Sequence, residues 1–137
     1  MKIGPLVLAV TAVVVVLTVA AGVVLIGSPE AERRRQADRQ RVGDLQSIAT
    51  AVDVYWTERG TLPPSLAALV DEGRIGQRKD PVTAAPYEFR AIDNTHYELC
   101  AEFQGTSADD APEMVADFWQ HGKDRRCFRL EAKRASR

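Results

Sequence analysis

Residues 42–60 read VGDLQSIATAVDVYWTERG, and the architecture turns on this stretch. Val42, Leu45, Ala49, Val52 and Trp56 recur at spacings of 3, 4, 3 and 4, the period of one helix face, and Ile48 and Tyr55 widen the stripe. Asp44, Gln46, Ser47, Thr50 and Asp53 fall largely elsewhere on the wheel. Gly60 after Arg59 reads as the C-terminal stop. At helical spacing Tyr55 and Trp56 read as core rather than as ligand-stacking rings. A single helix cannot cover its own apolar stripe, so the chain must supply a second layer.

That layer is legible downstream. Leu62-Pro63-Pro64-Ser65 turns into a short helix with Leu66, Leu69 and Val70 on its apolar side, closed by Asp71-Glu72-Gly73. Arg74 to Thr83 reads as a loop anchored by Asp80-Pro81. Tyr87, Phe89 and Ala91 then alternate with Glu88 and Arg90. Tyr97, Leu99, Ala101 and Phe103 alternate with His96, Glu98, Cys100 and Glu102. Asp93-Asn94-Thr95 between them is a short polar turn, so the pair reads as an antiparallel hairpin. A third strand is expected at Cys127 to Leu130, in the same alternation. The connection from Gln104 to Arg126 is long, with a short helix expected over Pro112 to Trp119 and Phe118 and Trp119 packing down.

The strand phase carries a covalent expectation. If the aromatic and Leu positions face the helix, Cys100 and Cys127 share the opposite face, close enough to bond on neighbouring strands. They are the only cysteines, and one disulfide is the pairing they allow. Closing that loop contributes roughly 3–4 kcal/mol in the chain-entropy model.

Upstream, residues 27–40 are polar, with Glu30, Glu32 and Asp38 among Arg33, Arg34, Arg35 and Arg39. This reads as a solvated stalk helix starting near Pro29; anionic lipid headgroups are the other use for the arginines, at roughly 1 kcal/mol each. Before the stalk, Pro5 to Ile26 is an uncharged apolar run. A bilayer core needs roughly 20 such residues, and a cleaved secretory signal has an apolar core of only about 7–15. The run therefore reads as an uncut, single-pass anchor, with the lipid bilayer as a partner.

Orientation is drawn two ways. Lys2 precedes the span while Arg33, Arg34, Arg35, Arg39 and Arg41 follow it, which by the positive-inside rule places the folded part in the cytoplasm. A disulfide persists outside the cytoplasm and argues the reverse. The reading taken is an N-terminus in the cytoplasm and an extracytoplasmic C-terminal domain.

A net charge of −1 gives no global field to recruit nucleic acid, so none is expected as a partner. His96 and His121 lack a second His or Cys at metal-ligand spacing, and there is no phosphate loop, nucleophile elbow or HExxH. Asp109, Asp110, Glu113 and Asp117 could offer oxygens to calcium, but without the spacing of an EF-hand they read as solvated loop charges. No catalytic residue, cofactor or metal ligand is assigned, and no enzyme activity is expected.

The order of parts resembles the type IV pilin-like proteins, nearest the major pseudopilins of type II secretion. The resemblance rests on the membrane helix running into an amphipathic one, Asp44-Leu45 through Tyr55, Gly60 and Pro63, then Asp80-Pro81 and Pro86-Tyr87 entering the strands. It implies a structural or accessory role in a bacterial envelope assembly of the secretion or pilus type, with other pilin-like or secretion-system subunits as partners. The alternative is a tethered extracytoplasmic binding or sensing domain. Pro5 follows Gly4, and Ala9 stands where the family's prepilin motif has Glu, so the resemblance implies a pilin-like domain on an uncleaved anchor. Ala84-Ala85 replaces the family's Gly-Asn-like step, and its calcium loop has no residue-by-residue match.

The expected fold is α+β: a transmembrane helix continuing into an amphipathic helix packed on a small antiparallel sheet. The expected divisions are an N-terminal segment 1–4, a span 5–26, a stalk 27–40, a pilin-like domain 41–131 and a basic tail 132–137.

Overall fold

A computed structural model describes residues 3–26, 28–109 and 117–134, and the chain divides into one compact unit up to Arg33 and another from Arg34 onward. The first unit holds helix α1, Ile3–Ile26. From Leu6 to Val24 its Leu and Val side chains stand exposed on all sides, from 53 % at Val14 to 81 % at Val24. Its two hydroxyls are satisfied within the helix: Thr11 donates to the Val7 carbonyl at 2.7 Å and Thr18 to that of Val14 at 2.9 Å. At about 1.5 Å per residue its 24 residues span about 36 Å. α1 is thus long and apolar enough to cross a membrane.

Helix α2, Pro29–Arg59, begins where the Ser28 hydroxyl accepts the Ala31 N–H at 3.2 Å, with Pro29 at a first-turn position that needs no donor. It ends at Gly60, whose φ of 69° lets its N–H reach back to the Trp56 carbonyl at 2.8 Å. Helix α3, Leu66–Asp71, is capped by Ser65 and drops Leu69 into the core.

Strands β1 (Glu88–Ala91), β2 (His96–Phe103) and β3 (Asp124–Glu131) form one antiparallel sheet in the order β1-β2-β3. Asp93 shapes the β1–β2 turn: one carboxylate oxygen accepts the N–H groups of Thr95 (2.8 Å) and His96 (2.7 Å). The inward set Tyr97, Leu99, Ala101 and Phe103 is buried throughout, with Phe128 from β3 and Tyr87 from just before β1. These join Val42, Leu45, Ile48, Val52 and Tyr55 of α2 in a single core. The α+β expectation holds at this level.

The helix stripe is rotated from the expected one. Asp38, Arg41, Leu45, Ile48, Val52 and Tyr55 are its most enclosed line, all between 0 % and 6 % exposed. Ala49 and Trp56, expected at its centre, sit on its flank, only partly buried. The spacing of the true line is 3, 4, 3, 4 and 3 and begins inside the charged stretch. Asp38 and Ala37 are therefore not solvated stalk, and Asp44, expected on the polar side, is 5 % exposed.

Three further differences lie in the return to β3. The strand is longer than Cys127–Leu130, because its register with β2 runs from Asp124 opposite Phe103 to Glu131 opposite His96. Of the helix expected over Pro112–Trp119, residues 112–116 lie outside the described set, and Asp117–Trp119 is a single 3₁₀ turn. Trp119 packs inward at 8 % exposed, but Phe118 remains 53 % exposed.

Candidate functional site

Where α2, the loop before β1 and the end of β2 meet, the fold buries charge. Arg41 is 1 % exposed. Its guanidinium forks onto Asp80, Nε to Oδ2 at 2.6 Å and Nη2 to Oδ1 at 3.0 Å, while Nη1 donates to Asp38 Oδ1 at 2.6 Å. A planar fork matched to a carboxylate is the geometry for which arginine, not lysine, is suited.

Each acid is also tied to the backbone. Asp38 accepts the Gln104 N–H at 3.0 Å and the Gly105 N–H at 2.8 Å, just past the end of β2. Asp80 accepts the N–H groups of Val82 and Thr83, both at 2.9 Å. One helix turn up, Asp44 accepts the Tyr87 hydroxyl at 2.9 Å and an N–H of Arg78 at 3.2 Å. Asp38 thus ties α2 to the exit of β2, while Arg41 and Asp44 tie it to the segment that enters β1.

The electrostatics are those of fixed charges. Burial opposes the Arg41 charge, but the hydrogen bonds to Asp80 and Asp38 outweigh it and hold the guanidinium above its ordinary value. Burial likewise opposes ionisation of Asp80, yet Arg41 and the two backbone donors hold its carboxyl well below the usual range. Burial pushes the Tyr87 phenol up, and its bond to Asp44 adds to that. Arg41 and Asp80 are thus held charged and the Tyr87 phenol neutral near neutral pH, the state in which the three groups clamp the helix to the loop.

The loop that presents Asp80 is tight. Asp80 N–H donates to the Ala85 carbonyl at 2.8 Å and Ala84 N–H to the Asp80 carbonyl at 2.9 Å, which puts Ala84 at φ 57°. Beneath it, a hollow of ≈ 200 Å³ between α3 and α2 is floored by Ile48, Leu66, Val70 and Ile75 and edged by Arg78 and Lys79.

On the far sheet face Cys100 and Cys127 stand directly opposite in register and are joined, with Sγ–Sγ 2.07 Å and Cα–Cα 4.0 Å. Around them runs a charge lattice: Arg90 and Arg129 both pair with Glu98, and Arg125 with Glu88.

The histidines lie apart. His96 Nδ1 lies 2.9 Å from Asp93 at the hairpin turn. His121 is buried, stacked on Phe103 at 3.7 Å between ring centroids, and its backbone is locked to Ser107. Asp110 and Glu113 of the acidic connection lie outside the described residues; among those described, no group of three or more His, Cys, Asp or Glu gathers to hold a metal.

The charged clamp escaped sequence reading, although a signal exists: Asp38 and Arg41 continue the 3-4 spacing of Leu45, Ile48, Val52 and Tyr55. A charge on an apolar stripe needs a partner of opposite sign, and Asp80 supplies it from 39 residues away. No protein-family model, curated protein or solved structure matches this chain.

Proposed function

We propose that the chain is a single-pass, membrane-anchored and non-catalytic component of a bacterial envelope assembly of the secretion or pilus type, built on a pilin-like fold. The observation that carries the reading is the pairing of two dissimilar parts: a helix, Ile3–Ile26, apolar on every side, and a folded unit whose helix is clasped by a cross-linked antiparallel sheet. An apolar surface all round a helix is stable in lipid and costly in water. A buried, charge-fixed seam holds a helix against a sheet without offering reactive groups, which suits a domain whose role is to be a rigid part. The Cys100–Cys127 bond favours the extracytoplasmic side, with the N-terminus in the cytoplasm.

Native electrophoresis of mild-detergent extracts tests the assembly. The expected result is a complex larger than the monomer, with pilin-like or secretion-ATPase subunits identified in it by mass spectrometry. The hollow floored by Ile48, Leu66, Val70 and Ile75 supports a second reading, a tethered binding or sensing domain. A monomer that retains a soluble ligand through purification would select that reading.

A further inference from the structure

A separate cavity of ≈ 300 Å³ opens on the other flank of α2, where Tyr97 of β2, Phe118, Trp119 and Leu130 of β3 meet. Tyr97 is 1 % exposed, and its ring packs on Phe89 at 5.6 Å between centroids. Burial, and then the charge of Asp53, push its phenol up, so it stays a neutral O–H. That hydroxyl makes no hydrogen bond to any described residue. Among the described residues Trp56 Nε1 is the one sealed side-chain polar atom without a partner. The Tyr97 oxygen is therefore not sealed, and the space it meets is this cavity, whose wall it shares with Asp53. A polar group that the fold buries and leaves open on one side is satisfied by what fills that side.

The rest of the wall narrows what that is. Phe118 lines the opening at 53 % exposed, and its ring is held in place against Trp119 at 5.2 Å and Phe128 at 6.0 Å between centroids. Asp53 Oδ1 accepts the Lys133 N–H at 2.9 Å, and Oδ2 keeps its acceptor capacity. The charges lining the cavity balance, with Asp53 and Glu131 against Arg129 and Lys133. A cationic ligand would meet two bases and an anionic one two acids. A neutral polyol uses donors and acceptors alike, and the C–H face of its ring suits an aromatic platform.

We infer that this cavity is a saccharide-binding site: a sugar ring rests on Phe118, and its hydroxyls bond to Tyr97, Asp53 and Lys133. The volume lies at the lower end of the roughly 300–1,000 Å³ of small-molecule sites, which fits a short segment of one or two sugar units. The inference goes beyond the proposed function and does not depend on it, since every residue named for the site lies within the folded unit.

Saturation-transfer NMR on the full chain in lipid nanodiscs, which contain no sugar, tests this with chitotriose and maltotriose at millimolar concentration. At least one is expected to receive saturation, strongest on ring C–H protons. Phe118→Ala, at an exposed position, should abolish the signal. Tyr97→Phe, which keeps the ring and its packing, should weaken binding by about threefold to tenfold through the one lost hydrogen bond. No transfer to either trisaccharide would overturn the inference, and so would a signal that survives Phe118→Ala, or displacement of the sugar by equimolar butylamine or butyrate. Circular dichroism of both variants should show the wild-type fold, and the native complex of the proposed function should form in both.

Discussion

Arg41 and Asp80 lie 39 residues apart in sequence and meet as a two-pronged ion pair at 2.6 and 3.0 Å, with almost no solvent access to either. The pair joins the main helix to the loop that feeds the sheet. Pairs of this kind add little net stability against an apolar isostere, but are expensive to break from one side.

Arg41→Met should therefore destabilise the folded unit by about 3–5 kcal/mol, because it leaves Asp38 and Asp80 buried without a cation. Arg41→Lys should fall between, since an ammonium cannot reproduce the fork. Chemical denaturation followed by near-ultraviolet circular dichroism reads both. A Met variant as stable as wild type would remove the clamp from the account.

The same pair sets an acid limit. The Asp80 carboxyl is depressed below its ordinary value of 3.8, so its stabilisation is fully present above that pH and fades as pH falls through the folded-state value. Stability should be flat in this contribution from neutral pH to about 4 and decline below it. Asp80→Asn should be less stable at pH 7 and show a shallower acid limb in pH-dependent melting.

Ala84 occupies a left-handed backbone region, at φ 57°, that glycine adopts freely. Ala84→Gly should be neutral to stabilising, by up to about 1 kcal/mol, where most loop substitutions are neutral or worse. A thermal melt decides it, and a clear loss of stability would contradict the loop geometry.

The Cys100–Cys127 bond should resist alkylation in intact cells until reductant is added. The double variant Cys100→Ser/Cys127→Ser should lose roughly 3 kcal/mol, within the range for loops of this size. Full labelling without reductant would remove the support for an extracytoplasmic domain.

For the apolar helix, Val15→Arg places a charge mid-span at an insertion cost of about 2.5–3.5 kcal/mol. Alkaline carbonate extraction should move part of that variant from the pellet to the supernatant, while wild type stays in the membrane pellet with Met1 to Ile26 retained. A mature N-terminus beyond residue 20 would mean that the segment is a cleaved signal.

What could be read from sequence follows from which forces are local. The alternation in β2 is strict, so its inward face and the Cys100–Cys127 register were both legible, as were the stop at Gly60 and the turn at Asp93. The helix face was legible only to within a rotation. Val42, Ala49 and Trp56 made one plausible line, while the buried line runs through Asp38 and Arg41, which hydropathy places outside. Their burial depends on Asp80, Gln104 and Gly105, far along the chain, and no local pattern carries that. The Tyr97 cavity was hidden for the opposite reason: Tyr97 reads as core and is core, and only its last atom meets open space.

The covalent tie between β2 and β3 also fixes what a protease can do to this domain. Every peptide bond from Gly105 to Arg126 lies inside the loop it closes. A single cut there yields two fragments that still travel as one molecule and part only on reduction. β3, which brings Phe128 into the core, stays attached to its neighbour, and the nicked protein can refold without having to find a lost partner.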